Sequence, residues 1–443
     1  MSELITIYAL LPANPTEALG ISFITDTDAG TVTLHAGVVG GVSEASTQVS
    51  GTQIPSRTEY IYHATIAGLK PGTQYRLWVD GLFAHDSVPS VKTLPDALPR
   101  AGFKIMVLAD THTGAGAASM NAPAEMNIIR DENAEMMWVV GDLASQLSET
   151  YGSDNGNDWI ISLRDYISVV NTNGLVPILL LAGNHEVGNH EWDGTGAVNP
   201  DGTYYRVFFP NISDMQPAGE NYAAPVLGDW CQIVAVDSHS ATTANSRTWI
   251  HGNAVDANVP VVIPGQHSPL CSANVRVAND MVLQENLRNA VFRKYHESEN
   301  IRFGFTGHIH TRTRTKPMVI VASDPGGNRF PLLDGNDQPD GYMVDAVVGY
   351  VEIGQGYRSD RTGSLLWFLE ESGNNEKNYN VVELEWGKVK VSTRDTNGVD
   401  FWSREWSVDY PVKQPHISST HGTSKVSGVS RTAVRRVSGG AWQ

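Results

Sequence analysis

The stretch FKIMVLADTHTG, residues 103–114, decides the fold of most of this chain. Its first six residues are mostly apolar, which is typical of a strand covered on both faces. The run ends abruptly in Asp110 and His112. A carboxylate and an imidazole after a buried strand predict either a turn or part of a ligand site. Only partners elsewhere in the chain can distinguish these two interpretations.

Four more apolar runs end in polar side chains of the same kinds. Because ligands in layered α/β proteins bind beyond the carboxyl ends of the strands, these side chains are predicted to meet in one crevice. The runs and their ends are MMWVVGD (136–142) with Asp142, VPILLLAGNHE (176–186) with Asn184 and His185, VPVVIPGQH (259–267) with His267, and FGFTGHIH (303–310) with His308 and His310.

These side chains offer oxygen and imidazole ligands and no thiolate. Such a set suits Fe, Mn or Zn ions in a reactive site rather than a structural thiolate site. Seven ligands are too many for one tetrahedral ion and suit two ions that share a bridging carboxylate. The candidate metal ligands are Asp110, His112, Asp142, Asn184, His267, His308 and His310.

No single motif decides this interpretation. A lone Asp-x-His at a strand end is usually a cap or a turn, Gly-Asp is nearly uninformative, and the histidines of GHIH are often a surface pair. Five such pieces in one order, each after an apolar strand, predict a shared metal site.

Residues 1–95 are predicted to form an all-β sandwich. The segments 18–25 and 30–37 alternate polar and apolar residues, as half-buried strands do. Two further strand-like runs lie within 60–81 and flank GLKPGT, where Pro71 and Gly72 supply a turn. Residues 96–102, DALPRAG, form the predicted linker.

From residue 103 to 411 the apolar runs alternate with helix-compatible stretches at 122–135 and 281–298. This alternation predicts an α/β domain in which helices cover the sheet. Beyond about 345 the pattern predicts further strands and hairpins that complete the same domain. The chain of 443 residues is too long for one compact core, which agrees with two domains.

Residues 412–443 differ from the rest of the chain. They are rich in Ser and Gly and contain five basic and no acidic residues. Such a tail is predicted to be disordered alone and suited to docking on a protein partner or an assembly. A flexible end without a partner is the alternative.

The net charge of −17 argues against long nucleic acid and anionic membranes as partners. No apolar run reaches the length of a membrane span, and the first twenty residues lack the features of a secretory signal. The location is unknown from the sequence. We expect a protein that is cytoplasmic or assembled into a virion. Cys231 and Cys271 allow either one bridge or two buried thiols.

The series D-x-H, GD, GNHE, H and GHxH resembles the calcineurin-like metallophosphoesterase superfamily over roughly residues 103–400. The N-terminal region, with His63, LKPGTQY (69–75) and VKTLP (91–95), resembles the fibronectin type III-like domain of purple acid phosphatases. The resemblance implies a four-layer α-β-β-α arrangement for the second domain. It also implies a dinuclear phosphoesterase that uses a metal-bound hydroxide to hydrolyse phosphate esters.

The resemblance assigns roles to individual residues. Asp142 would bridge two divalent or trivalent transition-metal ions and take part in catalysis. One ion would be held by Asp110, His112 and His310, the other by Asn184, His267 and His308.

The chemistry of such a site gives further roles. His185, next to Asn184, would stabilise the phosphoryl oxygens or protonate the leaving group. Glu186 or Asp237 would orient such imidazoles. Apart from the resemblance, the candidate substrate-binding residues are Asn184, His185 and Arg312, which comes just after GHIH. A solvated strand face is the alternative for Arg312.

Two positions depart from purple acid phosphatases. Those proteins have Asp-x-Gly where this chain has His112, and a tyrosine where this chain has Ser145. A tyrosinate-bound purple iron is therefore not expected, and the identity of the metals stays open.

The functional alternatives also stay open. A phosphodiesterase or nuclease uses the same site, and a structural, surface or virion component carrying this domain is suggested by the leading β-sandwich and the basic tail. Three further side chains, Arg314, His190 and His239, are weaker candidates for the pocket.

Overall fold

The structure is a computed structural model in which Met1–Pro411 forms one compact unit. The tail at 412–443 lies outside the described residues. The residues that the structure describes are 2–41, 44–84, 86–112, 123–144, 157–186, 203–210, 223–236, 238, 255, 258–270, 294–295, 298–310, 312–315, 317–320, 342–344, 350–355, 369–373 and 377–410.

Strands dominate the described part of the chain. In chain order they are β1 (Leu4–Leu10), β2 (Ala18–Thr25), β3 (Thr31–Val38), β4 (Glu44–Ser50), β5 (Thr52–Gln53), β6 (Tyr60–Ala67), β7 (Gln74–Val79), β8 (Val91–Lys92), β9 (Phe103–Leu108), β10 (Met136–Val140), β11 (Ile178–Leu181), β12 (Val226–Leu227), β13 (Cys231–Val236), β14 (Val261–Gln266), β15 (Phe303–Thr306), β16 (Arg312–Thr315), β17 (Met318–Ile320), β18 (Tyr342–Val344), β19 (Val351–Gly354), β20 (Leu369–Gly373), β21 (Asn378–Glu385), β22 (Lys388–Asp395) and β23 (Asp400–Ser407).

The helices in the described residues are short. They are α1 (Pro123–Asp131), α2 (Asn157–Ile161), α3 (Ser168–Val170) and α4 (Thr203–Phe208), with a π-helical turn at Ser162–Ile167 and a 3-10 turn at Asn171–Asn173. None of the helices in this part of the chain has an apolar stretch of the length that a bilayer requires.

Two large sheets position the candidate site. One has ten strands in the order β23-β22-β21-β9-β10-β11-β1-β2-β6-β5, and the other has seven in the order β12-β13-β14-β15-β19-β16-β20. Strands β9, β10 and β11 are parallel neighbours in the first sheet, and β13, β14 and β15 are parallel neighbours in the second. Every residue of β10, β11, β13, β14 and β15 is buried, as their continuous apolar sequences predict.

The N-terminal strands continue the ten-stranded sheet instead of standing apart from it. Leu10 of β1 pairs in parallel with Ile178 of β11. Strands β3, β4, β7 and β8 form a separate four-stranded sheet. One apolar core contains Phe23 of β2 and Leu77 of β7, so side chains of the two sheets pack together. The fibronectin type III-like sandwich, its boundary near 95 and the four-layer arrangement stay predictions.

Several predicted elements are confirmed. Strand β2 coincides with the predicted run at 18–25, α1 lies within 122–135, and β19 to β22 supply the strands expected beyond 345. The helix expected over 281–298 lies almost wholly outside the described residues. Cys231 is a buried free thiol, and Cys271 lies outside the described residues.

Candidate metal centre

The candidate ligands lie just beyond the carboxyl ends of five parallel strands. Asp110 follows β9, Asp142 follows β10 and Asn184 follows β11, all in the ten-stranded sheet. The ligands from the seven-stranded sheet are His267 after β14 and His308 and His310 after β15. The backbone extends the strand pairing past its end, because Asp110 N donates to Gly141 O at 3.0 Å and His112 N donates to Asp142 O at 3.0 Å.

Four of these side chains form a compact buried group. Ligand atoms of Asp110, His112, Asp142 and His310 all lie within 4.8 Å of one another. The Nε2 atoms of His112 and His310 are 3.2 Å apart, and Nε2 of His310 is 3.2 Å from Oδ1 of Asp110. Oδ2 of Asp142 lies 3.5 Å from Nε2 of His112.

A second set of side chains meets on the other side of Asp142. Oδ1 of Asn184 lies 2.8 Å from Nδ1 of His308 and 3.2 Å from Nε2 of His267. The same Nε2 of His267 is 3.1 Å from Oδ2 of Asp142. The Asp142 carboxylate therefore faces both sets.

These distances fit a metal ion. Two nitrogen or oxygen ligands bound to one ion at about 2.1 Å each lie roughly 3–3.5 Å apart in octahedral or tetrahedral geometry. Imidazole nitrogens rarely face each other this closely in a buried site unless a proton or a cation lies between them. Oδ2 of Asp142 is buried and accepts no hydrogen bond from the described residues, although imidazoles surround it.

The backbone at the ligands is held in a sparsely populated conformation. Among the described residues, seven non-glycine residues have positive φ angles, and five of the seven are candidate ligands. Such left-handed residues cost about 1–2 kcal/mol each and cluster at functional sites. The five are Asp110 (φ 52°), His112 (φ 44°), Asp142 (φ 55°), His308 (φ 69°) and His310 (φ 59°).

Glu186 organises the backbone of the site. Its buried carboxylate accepts hydrogen bonds from Asp142 N at 2.6 Å, Leu143 N at 2.9 Å and Gly183 N at 2.7 Å. It thereby joins the turn after β10 to the turn after β11. The prediction that Glu186 orients an imidazole did not include this role, because sequence adjacency to His185 says nothing about contacts with the backbone of a distant strand.

Electrostatics favour a cation in this site. Burial alone would raise the pKa of Asp110 and Asp142, but the surrounding histidines hold both pKa values well below the ordinary range. Burial lowers the pKa of His267, and the facing Asp142 carboxylate outweighs burial and raises it to about 9. Burial and Asp142 together raise the pKa of Glu186 to about 8. Two buried carboxylates thus create a negative potential that metal ions would satisfy.

The structure brings all seven candidate metal ligands together, and it also brings His185 to them. Nε2 of His185 lies 3.8 Å from Oδ2 of Asp142, while His185 N donates to Oδ1 of Asp142 at 2.9 Å. The rings of His185 and His112 meet edge to face, with centroids 4.4 Å apart. Asp237, His239, His190 and Ser145 lie outside the described residues.

Arg312 has a partner that the sequence did not reveal. Its guanidinium carbon lies 3.8 Å from the ring centroid of Phe401, and Arg314 lies similarly over Trp402 at 4.4 Å. Phe401 follows Arg312 by almost ninety residues, and no sequence pattern connects the two positions. A substrate-binding role for Arg312 stays a prediction.

With this geometry established, comparisons with known proteins identify the domain. Residues 103–312 match the family model of the calcineurin-like phosphoesterases. The chain therefore carries a calcineurin-like phosphoesterase domain within residues 103–312. Such a domain indicates a metal-dependent phosphoric ester hydrolase. None of the curated proteins matches the chain in sequence.

Solved structures share the fold at low sequence identity. A purple acid phosphatase, PPD1, from yellow lupin (Lupinus luteus) seeds is 13% identical with a TM-score of 0.64, and the match covers 92% of this chain and 75% of the lupin chain. PhoD is 11% identical with a TM-score of 0.63, and the match covers 91% of this chain and 90% of PhoD. Both likenesses concern the fold and extend over the N-terminal region.

Proposed function

We propose that this protein hydrolyses phosphate esters at a dinuclear metal site. The observation that carries the proposal is the position of Asp142, whose carboxylate faces His112 on one side and His267 on the other. One ion would be held by Asp110, His112 and His310, and the other by Asn184, His267 and His308. Asp142 would bridge them.

The bound metals would supply Lewis-acid stabilisation of the phosphoryl group and a water molecule activated for attack. Fe, Mn and Zn all suit a set of imidazole and oxygen ligands without thiolates. His112 supplies an imidazole where purple acid phosphatases have glycine, so the first ion would not need a tyrosinate.

The chain's own residues would orient the reaction. His185 is the most exposed of the site histidines, at 6%, and its backbone N–H bond to Asp142 fixes its position beside the bridging carboxylate. In this position its side chain would donate a proton or a hydrogen bond to the phosphoryl or leaving-group oxygen. Asn184 would contribute a substrate contact as well as a metal ligand.

The finer architecture belongs to the same proposal. Residues 1–95 would form a fibronectin type III-like sandwich, and residues 103–411 would form the four-layer α-β-β-α domain. The shared core of the N-terminal sheets supports the first statement, and the fold likeness to a purple acid phosphatase supports both. Specificity for monoesters, diesters or nucleotides resides in loops, so the fold does not assign it.

The test combines metal content and turnover on one preparation. We would purify the full chain without chelator, measure metals by ICP-MS, and assay p-nitrophenyl phosphate and bis-p-nitrophenyl phosphate. Asp142→Asn should lose turnover and bound metal, whereas Asp158→Asn, which changes an equally buried carboxylate outside the cluster, should retain both. The ratio of the two rates separates monoesterase from diesterase. Protein that stays inactive after adding Mn²⁺, Zn²⁺ or Fe²⁺ would overturn the proposal.

A further inference from the structure

Glu352 is a buried carboxylate outside the set of candidate metal ligands. It lies in β19 with 2% of its surface exposed. Its neighbours along the strand, Val351 and Ile353, belong to the main apolar core, so the alternation of a strand places Glu352 on the opposite face. Burial of a carboxylate costs free energy unless hydrogen bonds compensate it. The hydrogen-bond partners of Glu352 therefore indicate what this residue does.

The partners lie at the end of β14 and just beyond it. Oε2 of Glu352 accepts hydrogen bonds from Leu270 N at 3.1 Å and from Nε2 of Gln266 at 3.3 Å. Strand β15 lies between β14 and β19 in the seven-stranded sheet, and its residue Gly304 pairs with Glu352. The hydrogen bonds of Glu352 thus span a whole strand and join β19 to the chain that leaves β14.

Tyr295 fixes the orientation of the Gln266 amide group. The Tyr295 hydroxyl donates a hydrogen bond to Oε1 of Gln266 at 3.0 Å. Burial, and then the charge of Glu352, raise the pKa of Tyr295 well above its ordinary value, so the phenol keeps the proton that it donates. Because the amide oxygen accepts from Tyr295, the amide NH₂ group faces the Glu352 carboxylate.

The bonds to Glu352 hold the two ends of the His267 segment, residues 266–270. Between these ends, Ser268 N donates to the hydroxyl of Ser238 at 3.0 Å. The His267 ring reaches from this segment into the metal centre, where its Nε2 atom lies 3.1 Å from Oδ2 of Asp142. A shift of the segment backbone would move this nitrogen relative to the bridging carboxylate, since the ring is attached to that backbone.

We infer that Glu352 is a positioning residue for the second metal ion and acts on it through the His267 segment. The inference rests on the proposed function, in which Asn184, His267 and His308 hold that ion. The described side-chain bonds of Glu352 reach the His267 segment and none of the candidate ligands of the first ion. Removal of the Glu352 carboxylate should therefore weaken one of the two metal sites and not the other.

The test is a titration of the metal-free full chain with Zn²⁺ in competition with a chelator of known affinity. Glu352→Ala removes the acceptor of both bonds and should lower the affinity of one site about 10- to 100-fold, while the affinity of the other site stays unchanged. Glu352→Gln should retain both sites, because a single oxygen accepts both described bonds and glutamine keeps one oxygen acceptor. Metal content by ICP-MS after dialysis checks the same difference.

Two comparisons separate positioning from a general loss of stability. In a His267→Ala background, Glu352→Ala should have no further effect on either site, because its effect passes through His267. Gln232→Ala is the matched control in the same sheet. Gln232 is a buried polar residue of β13 whose Nε2 donates to Ala224 O at 3.2 Å, so its loss should leave both metal affinities unchanged.

Gln266→Leu is the milder variant of the same contact. It removes the amide bond to Glu352 and leaves the bond from Leu270 N, so it should weaken the same site by a smaller factor than Glu352→Ala. Wild-type affinity of both sites in Glu352→Ala overturns the inference, and Gln266→Leu decides in the same way if Glu352→Ala does not fold. Equal weakening of both sites, or a further loss in the His267→Ala background, would also overturn it.

The wild-type protein in the same titration tests the proposed function separately, together with its turnover of p-nitrophenyl phosphate. A wild type that binds two ions and is active, beside a Glu352→Ala variant with unchanged affinities, overturns the inference alone. An inactive wild type that binds no metal overturns the proposed function and the inference with it.

Discussion

Glu186 accepts a hydrogen bond from the backbone N–H of Asp142 at 2.6 Å, although 44 residues separate the two in sequence. The same oxygen accepts from Gly183 N, and the other oxygen accepts from Leu143 N. One buried carboxylate therefore fixes the distance between the turns that carry Asp142 and Asn184, the two candidate ligands supplied by neighbouring parallel strands.

Glu186→Gln should weaken metal binding without removing any candidate ligand. Glutamine has a single oxygen acceptor, so its amide group must face a backbone N–H that Glu186 now satisfies. We expect a loss of about 1–3 kcal/mol in the free energy of unfolding and a 10- to 100-fold loss, approximately, in metal affinity. Chelator competition and urea denaturation would measure the two effects.

Glu135→Gln is the matched control for that variant. Glu135 accepts one backbone hydrogen bond, from Lys104 N at 2.7 Å, so the single oxygen of glutamine can replace it. This variant should bind metal normally. If Glu186→Gln also binds metal like the wild type, the turn-joining role of Glu186 is wrong.

His112→Gly should separate metal binding from stability. His112 has a φ angle of 44°, a conformation that glycine adopts without strain. In the presence of chelator the variant should be about 1 kcal/mol more stable than the wild type, while its metal content falls because one imidazole ligand is lost. Thermal unfolding with EDTA and ICP-MS without it measure the two quantities.

Asn133→Gly also removes a non-glycine residue with a positive φ angle, at a position outside the metal site. Asn133 has a φ angle of 52° and lies in the turn between α1 and β10. The Asn133→Gly variant should be more stable than the wild type and should bind the same amount of metal. Equal metal content in His112→Gly and the wild type would contradict a ligand role for His112.

The convergence of the candidate ligands could be predicted from the sequence because its signal is local. Asp110 and Asp142 each follow an apolar parallel strand of the ten-stranded sheet, and His267 follows an apolar parallel strand of the seven-stranded sheet. The pattern of residue types after each run was therefore enough to predict which side chains converge.

Contacts between distant strands had no such signal. The pairing of Leu10 with Ile178 joins the N-terminal strands to the ten-stranded sheet, and nothing in either segment specifies its partner. The stacking of Phe401 on Arg312 depends on a bulge that shifts the register by one residue. Such features follow from tertiary packing, which periodicity along one segment does not encode.

Gly141→Ala should disrupt the site by close approach. Gly141 has a φ angle of 85°, and an added methyl group would overlap the ring of His267. Nδ1 of His267 lies 2.7 Å from Val140 O, so the ring cannot withdraw without losing that bond. We expect loss of bound metal and turnover with the far-ultraviolet circular dichroism preserved.

Gly68→Ala separates this steric effect from backbone strain. Gly68 has a similar φ angle of 76°, but an added methyl group meets nothing within 4 Å. Both alanine variants should lose about 1–2 kcal/mol of stability from the left-handed backbone, and only Gly141→Ala should lose metal. Metal loss of the same size in both variants would show that strain alone accounts for the effect.

His63 should make the stability of the protein depend on pH between about 4 and 6.5. Its ring bridges two elements, because Nε2 donates to Val207 O at 2.6 Å and Nδ1 lies 2.6 Å from the Ser22 hydroxyl. The carbonyl can only accept, so Nδ1 is the acceptor of the Ser22 hydrogen. Burial lowers the pKa of His63 to about 4, against an opposing effect of the Val207 carbonyl.

A folded-state pKa below the unfolded value means that the unfolded chain binds the proton more readily. The stabilisation by neutral His63 is therefore complete above about pH 6.5 and declines as the pH falls towards 4, with a loss of about 2 kcal/mol between pH 7 and pH 5. Urea denaturation at pH 7 and pH 5 measures this loss. Between these two pH values the free energy of unfolding of His63→Gln should fall by about 2 kcal/mol less than that of the wild type. His35→Gln changes a surface histidine paired with Glu44, and its free energy of unfolding should fall as much as that of the wild type. An identical pH dependence of the wild type and His63→Gln would show that His63 is not held neutral by the fold.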